Sequence, residues 1–198
     1  MTSELFEFDK KYSCVVAGMD EAGRGPLAGP VVCACCIMPL DDMIDGINDS
    51  KRLSEKQREI LFGQIISKAK CYGIGIVEHD VIDEINILQA TKRGMREAYA
   101  NMGAKPNILL IDAVKLDLDV KVESLIKGDA RSYNIAAASI IAKVTRDRIM
   151  RDYDKQFPAY GFSSNKGYGT KIHVEALKTV GSCPIHRRTF IKNFGDGL

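Results

Sequence analysis

Two adjacent carboxylates, Asp20 and Glu21, follow a short apolar stretch and run directly into the glycine-rich segment GRGPLAGP at 23–30. Two further acids hold similar positions, because Asp112 ends the apolar run NILLID and Asp129 precedes an apolar helical stretch. Active-site residues of α/β proteins gather at strand ends and at the loops beyond them. If these four acids met in one cluster they would repel one another, and at least one pKa would rise.

Divalent metal ions would relieve this repulsion. Hard cations such as Mg²⁺ take one or two carboxylates each and complete their shell with water and phosphate oxygens. Two such ions, ~4 Å apart, can clamp a phosphodiester and activate the attacking water. Neighbouring strand residues point to opposite faces, so either the strand bends near Asp20 and Glu21 or Glu21 contributes through its backbone carbonyl. The competing interpretation is structural: Asp129 caps a helix and Asp112 is a turn residue.

Two glycine-flanked sites could contact nucleic acid. Gly23, Arg24 and Gly25 combine unobstructed backbone N–H groups with one guanidinium, which suits close approach to a phosphate or a sugar hydroxyl. Neither a Walker motif nor GxGxxG matches this loop. Tyr168, in the stretch GYG at 167–169, could stack on a sugar or a base. Taken singly, each site is also explained by a turn, with a salt-bridged arginine or a hydrogen-bonded tyrosine.

Cations outside these loops allow weaker predictions. Lys51, in the stretch DSK, is predicted to contact phosphate. Lys143 and Arg146 fit a structural role as well as a DNA contact. The basic run HRR at 186–188, with Lys192, is predicted to be a solvated face, as charged runs usually are.

The elements that must position these residues follow from apolar patterns. Strands are predicted at 13–19, 30–38, 71–78 and 107–112, and helices at 54–70, 80–102 and 133–157. Ser54 and Gln57 fit a capping box at the start of the first helix. Strands that come first and then alternate with helices predict an α/β or α+β fold with a mixed sheet. The length suits one domain over residues 1–198, with a helical C-terminal extension from about residue 160.

Composition sets broad limits. The chain has 198 residues and a net charge of +2, which leaves nucleic-acid binding open. No apolar run reaches the length of a membrane span, and the N-terminal segment is too polar for a signal peptide. Most of the six cysteines lie in apolar strand-like runs, and the cysteines are predicted to be buried, reduced thiols of a cytosolic protein.

The combination of motifs resembles the bacterial ribonuclease HII family along almost the whole chain. The matching segments are MDEAGRGPLAGPV at 19–31, NDSKRLSEKQRE at 48–59, ILQAT at 87–91, LLIDA at 109–113, KGDARSYNIAAASIIAKVTRDRIM at 127–150, GYGTKIH at 167–173 and CPIHRRTF at 183–190. Ala113, Cys183 and Thr189 depart from the residues most frequent in this pattern. The related ribonuclease HIII carries an additional N-terminal domain and differs at the loop arginine, so the resemblance favours HII.

The resemblance implies a ribonuclease-H-like α/β fold, with a mixed five-stranded sheet flanked by helices and a C-terminal helical segment. It implies Mg²⁺- or Mn²⁺-dependent cleavage of the RNA strand in RNA–DNA hybrids, and incision 5′ to single ribonucleotides in duplex DNA. The metal-binding acids would be Asp20, Glu21, Asp112 and Asp129. Gly23, Arg24 and Gly25 would read the 2′-hydroxyl, and Tyr168 would stack on the sugar at the DNA–RNA junction.

The resemblance further implies a cytoplasmic monomer with no obligate protein partner. One alternative keeps the fold and makes the protein a ribonuclease-H-like metal nuclease without ribonucleotide specificity. Such an enzyme would have no use for a 2′-hydroxyl reader. A hybrid-binding module without activity is a further alternative, against which the four intact acids argue. A dinucleotide-binding oxidoreductase lacks its fingerprint here.

Overall fold

The computed structural model describes residues 2–112 and 114–192, so Ala113 lies outside the described residues. Its centre is a five-stranded mixed sheet in the order β3-β2-β1-β4-β5. The strands are β1 (Val16–Ala22), β2 (Val31–Ile37), β3 (Cys71–Val77), β4 (Ile108–Asp112) and β5 (Lys121–Leu125). The pairs β1–β2 and β2–β3 are antiparallel, whereas β1–β4 and β4–β5 are parallel. This confirms the expected mixed five-stranded sheet.

Helices cover both faces of the sheet. They are α1 (Thr2–Lys10), α2 (Glu55–Lys68), α3 (His79–Asn101), α4 (Tyr133–Gln156), α5 (Phe162–Asn165), α6 (Lys171–Val180) and α7 (Arg188–Ile191). One core lies between the sheet and α4, with α1 and α2 packed against it, and a second lies between the sheet and α3. A third core joins α4 to the C-terminal helices. No helix in the described part of the chain is long and apolar enough to cross a membrane.

The predicted elements are present with small shifts. β1 starts later than expected and continues through Asp20 and Glu21. The predicted capping box is confirmed, because Ser54 Oγ accepts from Gln57 N at 3.3 Å and Gln57 Oε1 accepts from Ser54 N at 2.9 Å. Sequence reasoning missed α1 and β5, since neither has a clear apolar run. The three cysteines of β2 are buried free thiols, as predicted, whereas the prediction of burial is wrong for Cys14, which is exposed, and Cys71 is half-buried.

Helix α4 lies unusually close to β1, and a glycine makes this approach possible. A Cβ built on Gly18 would lie 2.1 Å from the Asn134 carbonyl carbon and 2.2 Å from Ile135 N. Both are backbone atoms of α4, which cannot rotate away as a side chain could. The closeness matters for function because α4 follows the loop that carries Asp129.

Gly18→Ala is therefore expected to destabilise the fold by about 3 kcal/mol, since helix and sheet must separate to admit the methyl group. Gly63→Ala is the matched control, because Gly63 lies exposed in α2 and a Cβ there meets nothing within 4 Å. That substitution should stabilise the protein by roughly 0.5–1 kcal/mol through helix propensity. Urea denaturation measures both, and equal midpoints would contradict this account of the packing.

Candidate active site

Asp20 and Asp112 lie at the carboxyl ends of neighbouring parallel strands. The register of β1 and β4 pairs Met19 with Ile111, so each aspartate is the next residue along its strand. Asp20 is buried and Asp112 is half-buried. Asp112 Oδ1 accepts a hydrogen bond from Gly128 N at 3.1 Å, which attaches the loop after β5 to this end of the sheet.

That loop carries Asp129 in a short 3₁₀ turn, Gly128–Ala130. The interpretation of Asp129 as the cap of the following helix is wrong, because Ser132 caps α4 and its Oγ accepts from Ile135 N at 3.2 Å. Asp129 instead accepts a hydrogen bond from Lys51 Nζ at 3.2 Å. Lys51 reaches it from a second 3₁₀ turn, and its side chain is largely exposed.

The side chain of Glu21 projects from the face of the sheet opposite to that of the Asp20 side chain. Pairing of β1 with β2 continues past Glu21 to Ala22, so the strand does not end between the two acids. Asp20 is paired with Ala34 of the α4-side core, and Glu21 with Cys33 of the α3-side core. Sequence reasoning left two routes by which Glu21 could reach a metal shared with Asp20. Of these, the structure favours the backbone carbonyl over a bend of the strand.

The Glu21 carboxylate sits at the start of the glycine-rich loop. Its Oε1 accepts from Arg24 Nη1 at 3.3 Å. Its Oε2 is buried and has no hydrogen-bond partner among the residues that the structure describes. A buried carboxylate oxygen without a partner costs free energy, and the ion pair with Arg24 at the other oxygen offsets part of that cost.

Electrostatics connect the four acids. Burial raises the pKa of Asp20 well above its usual range, and the carboxylates of Glu21 and Asp129 raise it further. Burial also raises the pKa of Glu21, with Arg24 opposing and Asp112 adding to the shift. Partial burial works against the charge of Lys51, but the carboxylates of Asp129, Asp49 and Asp20 together outweigh it and raise the lysine pKa. Neighbouring anions thus disfavour one another and favour a cation.

The donor set fits a hard divalent ion, because carboxylate oxygens are the ligands that Mg²⁺ prefers. Across residues 2–112 and 114–192, no three acidic, histidine or cysteine side chains converge closely enough to hold an ion on their own. The chain would therefore supply only one or two carboxylates to each ion and leave other positions to water and phosphate oxygens. The pKa of Asp20, which burial and the carboxylates of Glu21 and Asp129 raise, agrees with this arrangement.

A cleft of about 440 Å³ opens beside two of these acids. Its lining includes Asp112 and Asp129 together with the cations Lys51, Arg52 and Lys127. Carboxylates that could hold metal thus face basic side chains that could hold phosphate. This combination suits a phosphodiester substrate.

The glycine-rich loop is held from behind by Arg187, which is fully buried. Its guanidinium donates to the carbonyls of Gly23 at 2.6 Å, Arg24 at 3.1 Å and Gly29 at 3.0 Å. Both peptide units between Gly23 and Gly25 are trans, so each N–H points opposite to its carbonyl. The N–H groups of Arg24 and Gly25 consequently point away from Arg187, on the exposed side of the loop.

Arg146 of α4 supports the same loop from within the core. It donates to the carbonyls of Pro30 at 2.9 Å, Lys166 at 2.9 Å and Ala28 at 3.1 Å. A Cβ on Gly23 would lie 2.1 Å from Arg146 Nε, and Gly23 has a φ of 101°, so only glycine fits there. Burial lowers the pKa of Arg146 to about 10 and that of Arg187 to about 9. Of the two interpretations of Arg146, a structural role and a DNA contact, these contacts support the structural role.

The predicted solvated face at residues 186–188 is wrong for two of its three members. His186 and Arg187 are buried, and only Arg188 is exposed. The segment pairs with the loop, because Arg187 N donates to Leu27 O at 2.8 Å and Gly29 N donates to Ile185 O at 2.9 Å. Sequence reasoning missed this support. The signal available was a basic run beside the apolar residues of CPIHRRTF.

Tyr168 stands at the edge of the same loop. Its ring would be 3.7 Å from a Cβ on Gly25, and Leu27 N donates to Gly167 O at 2.8 Å. Tyr168 is 44% exposed, so one part of the ring is available to a ligand. The Arg146 guanidinium lies 6.0 Å from the ring centroid. The two glycine-flanked sites of the sequence are therefore neighbours.

Lys143 lies apart from the loop. Its Nζ donates to Asp147 Oδ1 at 2.6 Å, and Arg58 forms an ion pair with the same carboxylate at 3.6 Å. Arg58 in turn donates to the carbonyls of Ser50 and Leu53, which flank Lys51. Lys143 thus belongs to a structural network that supports the turn of Lys51.

Comparison with known proteins gives consistent results. The family model described as Ribonuclease HII matches residues 17–193. A Ribonuclease HII of Acetivibrio thermocellus is 60% identical over 181 residues, which are 91% of this chain and 71% of the relative. The crystal structure of ribonuclease H2 from Pyrococcus horikoshii OT3 aligns with a TM-score of 0.74 at 32% identity, covering 88% of this chain and 92% of the other. Bst-RNase HIII in complex with Mn²⁺ shares the fold, with a TM-score of 0.64 at 17% identity over 88% of this chain and 65% of the other.

Proposed function

Because this chain belongs to the ribonuclease HII family, we propose that it incises duplex DNA on the 5′ side of single embedded ribonucleotides. The chain is a metal-dependent ribonuclease, and its family acts on RNA–DNA hybrids. Incision at a single ribonucleotide requires that the enzyme distinguish one ribose from the neighbouring deoxyriboses. The observation that supports it is the orientation of the loop N–H groups directly after Asp20 and Glu21.

The 2′-hydroxyl is the group that distinguishes RNA from DNA at a given sugar. In our proposal Gly23, Arg24 and Gly25 contact it through the backbone, because Arg187 holds their carbonyls on the buried side. Arg24 steadies a phosphate or the loop, since a cation cannot identify a neutral hydroxyl by charge. Sugar reading and metal chemistry are then adjacent in sequence because they are adjacent in space.

Asp20 and Asp112 serve in this proposal as the principal ligands of Mg²⁺ or Mn²⁺, and Glu21 and Asp129 complete the site. A pair of such ions, when bound, polarises the phosphate and activates water, which leaves 5′-phosphate and 3′-hydroxyl ends. The chain's own contribution is to gather buried acids whose mutual repulsion favours cation binding. Lys51 contacts a phosphate of the substrate from the rim of the cleft.

Tyr168 stacks on the sugar at the DNA–RNA junction in this proposal. Its exposed ring beside Gly25 supports the assignment, because a stacking platform must adjoin the group that reads the 2′-hydroxyl. We further propose that residues 1–198 form one domain that works in the cytoplasm as a monomer, with ribonucleotide-containing duplexes and RNA–DNA hybrids as its partners.

The test is gel-resolved cleavage of an end-labelled DNA duplex with one ribonucleotide, in Mg²⁺ and in Mn²⁺. An all-DNA duplex of the same sequence is the control, and a long RNA–DNA hybrid reports the general activity. We expect one cut on the 5′ side of the ribonucleotide and none in the control. Equal cutting of both duplexes would indicate a nuclease without sugar specificity. Degradation of the long hybrid alone would refute junction reading while retaining the metal site.

A further inference from the structure

The turn that presents Tyr168 is fixed through its main chain. Tyr168 N donates to Asn165 O at 2.9 Å, and the Tyr168 carbonyl accepts from Thr170 N at 2.8 Å. The same carbonyl lies 2.9 Å from Nδ1 of His173, the one histidine of α6. A cation or donor on a carbonyl fixes the peptide plane, and the plane fixes where the side chain projects. The position of the Tyr168 ring therefore depends on His173.

The hydrogen bonds continue from His173 into the core, to a second buried histidine. Its Nε2 lies 2.9 Å from Nε2 of His186, and the Nδ1 of His186 lies 2.9 Å from the backbone N of Cys183. The two histidines are 0% and 2% exposed. Tyr160 and Phe162 pack against both rings, which excludes water from the pair.

The protons of this hydrogen-bond chain can be assigned from its Tyr168 end. The Tyr168 carbonyl can only accept, so His173 carries its proton on Nδ1 and accepts at Nε2. At the other end, Nδ1 of His186 lies near three atoms of Cys183: the backbone N at 2.9 Å, Sγ at 3.1 Å and the carbonyl O at 3.2 Å. Because Nε2 of His173 must accept, the central bond runs from the Nε2–H of His186 to His173, and Nδ1 of His186 is left to accept from the Cys183 N–H. Both rings are neutral in this assignment, in agreement with burial lowering the pKa of His173 and lowering that of His186 to about 4.

We propose that His173 and His186 are positioning residues, which form a directed hydrogen-bond chain from Cys183 to the Tyr168 carbonyl and thereby hold the Tyr168 ring beside Gly25. This inference rests on the proposed function for its effect on cleavage, but not for its geometry. These hydrogen bonds connect the segment that carries Arg187 to the turn that carries Tyr168. The glycine-rich loop and the turn of Tyr168, which we propose to recognise the DNA–RNA junction, are thus held in a fixed position relative to each other.

The geometry is tested on the wild-type protein by ¹H–¹⁵N correlation of the histidine side chains at neutral pH. We expect His173 as the neutral Nδ1–H tautomer and His186 as the neutral Nε2–H tautomer, with His79 as the internal reference. Any other pair of tautomers, or a charged ring, overturns the proposal. This measurement needs no variant and no activity.

The positioning role is tested by two variants of His173. His173→Asn keeps a donor near the position of Nδ1, whereas His173→Phe keeps ring volume and removes the donor. A 1 Å misplacement can cost about 100-fold in rate, so we expect His173→Phe to lose roughly 10- to 100-fold in kcat/KM on the single-ribonucleotide duplex. The loss on a long hybrid should be smaller, and His173→Asn should recover most of the activity. His79→Asn is the matched control and should leave kcat/KM unchanged on both substrates.

A double-mutant cycle of His173→Phe with Tyr168→Ala separates an effect on the position of the tyrosine ring from a general loss of stability. If His173 acts through the tyrosine, His173→Phe should cost little more once the Tyr168 ring is gone. An equal cost in both backgrounds overturns the proposal, as does failure of His173→Asn to recover activity. If the wild type does not incise single ribonucleotides, the proposed function fails. The inference is then judged by the tautomers and by whether His173→Phe abolishes the NMR contact between the Tyr168 ring and Gly25.

Discussion

Asp20→Asn is expected to lower cleavage of both hybrid and single-ribonucleotide substrates by about 10³-fold, the rate equivalent of several kcal/mol of metal-derived stabilisation. The substitution keeps the size of the side chain and removes one anionic oxygen. Steady-state cleavage in Mg²⁺ measures the effect. Asp119→Asn is the matched control, because Asp119 is an exposed acid paired with Lys105.

The same substitution should leave the metal-free fold at least as stable as the wild type. Burial and the neighbouring carboxylates raise the pKa of Asp20, so its ionised form opposes folding at neutral pH. A neutral amide removes that cost. Thermal unfolding in EDTA checks this expectation. A variant that unfolds at a lower temperature would show that Asp20 stabilises the fold directly, and retained cleavage would remove it from the metal site.

Arg187→Lys is expected to have the second-largest effect. One ammonium cannot reach the carbonyls of Gly23, Arg24 and Gly29 together, so buried acceptors lose their donors and the fold loses about 2–4 kcal/mol. Released peptide units can also rotate, which removes the fixed N–H pair. Cleavage at single ribonucleotides should therefore fall further than cleavage of long hybrids.

Two controls separate these effects. Arg188→Lys changes the exposed neighbour and should stay within ±0.5 kcal/mol of the wild type. Met95→Ala removes a fully buried side chain of the α3-side core, at a cost of about 2–5 kcal/mol, without touching the loop. The ratio of activities on the two substrates should shift for Arg187→Lys and not for Met95→Ala. An equal ratio in both variants would reduce Arg187 to a purely stabilising residue.

Much of the fold could be predicted because its signals are local. The apolar runs of β1 to β4 and the capping box at Ser54 each depend on residues a few positions apart. Edge strand β5 and helix α1 escaped prediction because their packing partners lie far away in the sequence. Asp129 looked like a helix cap for the same reason, since the competing cap, Ser132, is distinguished only by geometry.

The sequence alone determined which acids, glycines and tyrosine were predicted for the candidate site, through their residue types and through the resemblance of their motifs to the ribonuclease HII family. Tertiary structure decided how they are held. Arg187 and His186 sit in a run that is expected to be solvated, yet they are buried against backbone carbonyls and another ring. Every residue has a backbone carbonyl, so a carbonyl partner leaves no trace in the sequence. Only the folded chain brings these buried groups against the loop and the turn that we propose to read the ribonucleotide.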